Sequence, residues 1–169
     1  MSRPSHASPL AVSGLYVFAA LLVLSPLMDL VSTVWPPRPG DFSWRYGFLG
    51  LLAGYLHTPI LGLVLAMAVA FWQGHARALR ITGALGCAAG VALLLAMGVF
   101  ALDVVQMRAM RASEVRGAVL AGGALQELKY FGALVVLILL GLGGWRTASR
   151  IPSDRARADS SHIVSSRTG

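Results

Sequence analysis

Four apolar runs separated by short polar or proline-bearing segments set the pattern of this chain. They cover about 10–30, 46–72, 81–102 and 124–145, and each approaches the roughly 20 residues that a helix needs to cross about 30 Å of hydrocarbon. The first run holds no charge before Asp29, the third none before Asp103, and the second none at all. The fourth opens on the polar turn Gln126, Glu127, Lys129 and is purely apolar from Tyr130. This pattern predicts an all-α integral membrane protein with four transmembrane helices in an antiparallel bundle over residues 1–145. The tryptophans agree with these ends. Trp35 and Trp44 flank the first connection, while Trp72 and Trp145 close the second and fourth runs, the placement expected of interfacial anchors. The first run is longer than a secretory apolar core and lacks a small-residue cleavage pattern after it, so it is expected to stay as an anchor.

The connections differ in kind. Pro36, Pro37 and Pro39 with Gly40 cannot continue a helix, since proline lacks an amide donor and fixes its own φ, and they predict a stiff loop. The short segment 73–80 predicts an antiparallel hairpin of spans two and three. Segment 103–123 is longer and mixes charge with methionine; Val104, Met107 and Met110 can share one side of a helix continuing span three while Arg108 and Arg111 share another. Met107, Arg108, Met110 and Arg111 are therefore candidates for docking a partner, beside an interfacial-helix reading and a methionine metal site. Residues 146–169 are rich in Ser, Arg and Asp and predict a disordered basic cytoplasmic tail.

Composition excludes a water-soluble globule. Apolar residues make up 56% of the chain and charged residues only 12%, and the mean hydropathy is +0.70. The net charge of +7 is spread over the flanks and connections of the runs, so membrane lipids are the expected anionic partner and no nucleic acid is expected. With four spans, the terminal side carries 8 basic residues against 2 acids and the other side 6 against 5. That bias predicts cytoplasmic termini, in a bacterial inner membrane.

His57 is the residue with the most chemical interest. It lies eleven residues after Tyr46, roughly 16 Å along a helix and close to the midplane. Gly47, Gly50, Gly54, His57 and Leu61 recur at alternating spacings of three and four, which predicts a close-packing seam turned toward partner helices. Three readings of the imidazole compete: a hydrogen bond across helices, axial ligation of haem or bacteriochlorophyll, and a proton relay. Ala53 precedes His57 by four residues, the spacing of light-harvesting pigment helices, but this pair alone names no family. His6, His75 and His162 lie outside the spans, so one chain offers no second axial histidine. Pro59, after Thr58, removes the amide that would bond the Tyr55 carbonyl and predicts a bend.

In the third run Gly83, Gly86 and Gly90 repeat the small-residue spacing and predict packing against the second span. The single cysteine, Cys87, is expected to be a small buried packing residue. Asp29 and Asp103 are expected to be hydrated or paired with Arg45 or Arg108. No nucleotide-binding, zinc-protease, dithiol or serine-hydrolase motif occurs in the chain. The expected role is a small non-enzymatic accessory or structural subunit of a larger membrane complex, contacting other transmembrane subunits. The alternatives are a haem- or bacteriochlorophyll-binding subunit using His57 and a small oligomeric transporter.

Overall fold

The computed structural model describes residues 8–110 and 113–150, and among the described residues it is helical without a strand. The elements are α1 (Pro9–Val34), α2 (Phe42–Tyr55), α3 (His57–Trp72), α4 (Ala76–Met110) and α5 (Ser113–Arg150). α1, most of α4 and most of α5 are long and apolar enough to cross a membrane, and the bent pair α2–α3 makes a fourth candidate crossing. These helices fit an integral membrane protein.

Local chemistry explains each boundary. At α1 the Ser8 side chain accepts the Ala11 amide at 3.2 Å and Pro9 stands at the first helical position, where its missing donor is not needed. The proline loop ends at Asp41, whose carboxylate accepts the Ser43 and Trp44 amides at 2.8 and 3.4 Å and starts α2. α3 ends on Gly74, at φ 66°. There the His75 amide donates to the Ala70 carbonyl at 2.9 Å and the Gly74 amide to the Phe71 carbonyl at 3.2 Å, a Schellman cap that needs the left-handed backbone glycine allows. The expected bend is present. α2 and α3 meet at 42° across Leu56, three residues before Pro59, which leaves the Tyr55 carbonyl without its usual donor.

α4 and α5 form the most extensive interface, an antiparallel pair whose register is read from its small residues. A Cβ on Gly83 would lie 3.2 Å from the Gly141 carbonyl oxygen, one on Gly86 3.3 Å from that of Leu137, and one on Gly144 2.8 Å from that of Leu79. Gly123 faces Val104 further along. The Gly83, Gly86, Gly90 face is thus a packing face, but against α5 and not the second span. α5 answers it with Gly141, Gly144 and Ala148, spaced by three and four, so both backbones approach closely. Cys87 also lies against Gly141 but is exposed on its other side, contrary to the buried position expected of it.

α2 and α3 lie on this pair, and α1 lies on α3. The α1–α3 approach is set by Gly62, where a Cβ would come within 2.7 Å of the Ala19 carbonyl oxygen. The main core gathers Leu49, Ala53, Leu93, Phe100, Val104, Tyr130 and Leu137 from α2, α4 and α5. Phe100 stacks on Tyr46 at 5.4 Å between centroids and meets Tyr130 edge-on at 5.9 Å. A smaller cluster of Ala70, Leu79 and Ala148 closes the opposite end, beside a 3.1 Å hydrogen bond shared by the Tyr16 hydroxyl and His75 Nδ1.

The third connection is helical and the tail begins later than expected. Within 103–123, α4 continues to Met110, as expected of a helix continuing span three, and α5 begins at Ser113, ahead of the fourth apolar run. At 35 and 38 residues these helices are about 52 and 57 Å long, well beyond a 30 Å apolar layer. Residues 146–150, expected in the tail, are the last turn of α5, and 151–169 lie outside the described residues. Arg111 also lies outside them, as do the side chains of Met107, Arg108 and Met110 on α4, so the expected docking surface there is not described.

Candidate functional site

The polar groups of the helix pack converge where α2, α4 and the first half of α5 meet. Arg45, in the first turn of α2, places its guanidinium 3.1 Å from Asp103 Oδ1 on α4 and donates to the Pro39 carbonyl at 3.2 Å. The Asp103 side chain is 2% exposed and that of Arg45 32%. One guanidinium thus ties the proline loop to α4 through a charge-assisted bond in a largely dry setting. Of the two pairings open to Asp103, Arg45 is the partner found. Trp44 fastens the same loop from the other side, its indole N–H donating to the Val34 carbonyl at 3.0 Å. Trp44 is therefore partly spent on the α1–α2 junction, whereas Trp35 and Trp72 are exposed at element ends and Trp145 is exposed within α5, five residues before its end.

One turn deeper, α5 holds α2 by its backbone. Gln126 Nε2 donates to the Gly50 carbonyl at 3.0 Å, and the Tyr130 hydroxyl donates to the Leu49 carbonyl. These carbonyls already serve the helix, and each uses its second lone pair for the neighbour. The phenol explains why Tyr130 is fully buried, since a buried hydroxyl needs a partner. Gln126 Oε1 and Glu127 Oε1 are buried without one.

The seam expected from Gly47, Gly50, Gly54, His57 and Leu61 faces the other way. Leu49 and Ala53, at 5% and 0% exposure, point to the core, while Gly47, Gly54, His57 and Leu61 are exposed and Gly50 is half-buried. A Cβ on Gly47, Gly50 or Gly54 would meet nothing within 4 Å. The reason is the area available for burial: Leu49, Leu52, Ala53 and Leu56 offer α4 and α5 more apolar surface than a glycine stripe does, so the larger face wins.

His57 consequently sits at the rim of an open groove between α2–α3 and α5. Its lower hollow, about 460 Å³, is lined by Ala53, Leu56, His57 and Ile60 on one wall and Lys129, Gly132 and Val136 among others on the second. An upper hollow of about 350 Å³ lies between Tyr46, Gly50, Phe100, Gln126 and Lys129. Lys129 lines both. Among the described residues no group of three or more His, Cys, Asp or Glu side chains could hold a metal ion. Tyr130, Gln126 and Lys129 were missed as site residues in the sequence because they lie at the polar start of an apolar run, where snorkelling to water is the ordinary expectation. Gly62, Gly141 and Gly144 were missed too; the last two carried a signal in their spacing with Ala148.

No family model, no curated protein and no solved structure matches this chain.

Proposed function

We propose that the protein is a small accessory subunit of a larger membrane complex, built as a four-span antiparallel bundle in a bacterial inner membrane with both termini cytoplasmic. The observation that carries the reading is the outward ridge of α2. Gly47 and Gly54 stand two turns apart, exposed, with open space where a side chain would be. Small residues at that spacing let a second helix approach to backbone contact, where packing and Cα–H···O bonds drive association in lipid. Arg45 and Tyr130 nearby serve internal joints, with Asp103 and with the Leu49 carbonyl. Orientation rests on the excess of basic residues at the ends of the chain and in the 73–80 connection. The test is purification from the native membrane under mild detergent. A constant set of larger subunits should accompany the wild-type chain and be lost from Gly47→Leu and Gly54→Leu, with the thermal transition of the isolated subunit not lowered. A wild-type chain that purifies alone from gently solubilised membranes rejects the proposal.

The open hollow at His57 favours a second reading, a haem- or bacteriochlorophyll-binding subunit. The imidazole is exposed into a space walled by Gly132 and Ala133, where a flat ring meets little obstruction. A Soret or near-infrared band that disappears in His57→Ala supports it, and a colourless native protein rejects it.

A further inference from the structure

The two hollows between α2–α3 and α5 differ in polarity along one line. The upper is bordered by the Tyr46 ring, the Gly50 backbone, Gln126 and Lys129, beside the end of the molecule where Trp44 and the Arg45–Asp103 pair sit. The lower is apolar apart from His57 and Lys129, and runs from Ala53 to Leu61 and from Leu128 to Val136. We infer that this groove binds one anionic glycerophospholipid, its phosphate on Lys129 in the upper hollow and an acyl chain along Gly132 and Val136 in the lower.

The charge argues for the head. Lys129 is exposed and has no ion-pair partner among the described residues. Glu127, two residues away, forms no ion pair with it among the described residues. An unpaired ammonium beside hydrocarbon is costly, and its flexible stem turns it toward the nearest anion, which in a bilayer is a lipid phosphate. The dimensions argue for the tail. The wall from Ala53 to Leu61 is about 12 Å long, most of the roughly 15 Å of hydrocarbon in one leaflet. A Cβ on Gly132 would meet nothing within 4 Å, so a chain can lie against bare backbone there. The inference can be tested apart from the accessory-subunit reading, because Gly47 and Gly54 line neither hollow.

The test is native mass spectrometry of the full chain in mild detergent, offered equal amounts of phosphatidylglycerol and phosphatidylcholine. The wild-type protein should retain one phosphatidylglycerol in preference to phosphatidylcholine by about fivefold, the contribution of one basic side chain to an anionic lipid contact. Lys129→Gln should bring the ratio to one, and Lys129→Arg should restore it. Gly132→Leu should lower the occupancy of both lipids by filling the lower hollow. Gly98→Leu, at another exposed glycine with open space around it, should change neither, and the thermal transition of each variant confirms its fold. Equal retention of the two lipids by the wild type, or a preference that survives Lys129→Gln, overturns the inference. So does a second polypeptide or a chromophore, found in place of lipid and released by Gly132→Leu.

Discussion

Adding one methyl group at Gly144 and one at Gly54 should move stability in opposite directions. Either Gly→Ala change in a helix interior gains up to about 1 kcal/mol of intrinsic preference. At Gly54 nothing lies within 4 Å of the new Cβ, so the gain survives. At Gly144 the Cβ would stand 2.8 Å from the Leu79 carbonyl oxygen and 3.1 Å from the Gly83 Cα. Both are backbone atoms, which no rotamer change can withdraw. The first contact is about 0.6 Å short of ordinary van der Waals distance, so α4 and α5 must separate along a face where Gly83, Gly86 and Gly141 already touch. Overpacking of this kind costs about 1–3 kcal/mol. Gly144→Ala should therefore fall below Gly54→Ala by about 1–3 kcal/mol, or about 2–12 °C in Tm for a chain of this size. Thermal unfolding in one detergent, followed by tryptophan fluorescence, reads the difference. A destabilised Gly54→Ala beside an unchanged Gly144→Ala would refute the reasoning, because it would return the glycines of α2 to the core and release those of α5.

The joints around the proline loop make further predictions. Asp103→Asn keeps the shape but removes the charge opposite Arg45; breaking a buried pair costs about 3–5 kcal/mol, and the partial exposure of the guanidinium lowers that to about 1–3 kcal/mol. The drop in Tm should be largest at low salt, and an unchanged Tm would place the pair in solvent. Tyr130→Phe should lose only about 0.6 kcal/mol, the mean for a hydrogen bond between membrane helices, in the same unfolding assay. Gly74→Ala places a Cβ at φ 66° and should cost about 1–2 kcal/mol, with Gly74→Asn losing less; equal losses would argue against the Schellman cap.

Much of the framework was legible because its causes are local. Hydropathy placed every long helix, Trp35 and Trp72 stand at the ends of α1 and α3, and Pro59 marked the bend now seen at Leu56. The spacing of Gly83, Gly86 and Gly90 correctly marked a packing face. Its partner was not legible, because a small-residue face fits any other, and α5 carries a matching Gly141, Gly144, Ala148 series. The α2 seam was misread for a related reason. In a helix that is apolar all round, periodicity of small residues does not tell inside from outside, and the larger side chains at Leu49 and Leu52 decided it. The continuation of α4 past Asp103 was legible in the spacing of Val104, Met107 and Met110, whereas the start of α5 at Ser113, ahead of its apolar run, was not, since charged residues form good helix once the chain leaves the apolar layer. The groove escaped notice because it depends on two parallel segments, α2–α3 and α5, whose facing residues are distant in the chain, as Gly50 and Gln126 are at 76 positions.

The claim that the outward face of α2 is where a larger complex docks is tested most directly by a photo-crosslinking residue placed singly at 47, 54 and 98 and activated in native membranes. The account predicts a discrete adduct of constant mass, containing one other transmembrane protein, from positions 47 and 54, and none from 98. Adducts to lipid alone at 47 and 54, or the same protein adduct from 98, would contradict it.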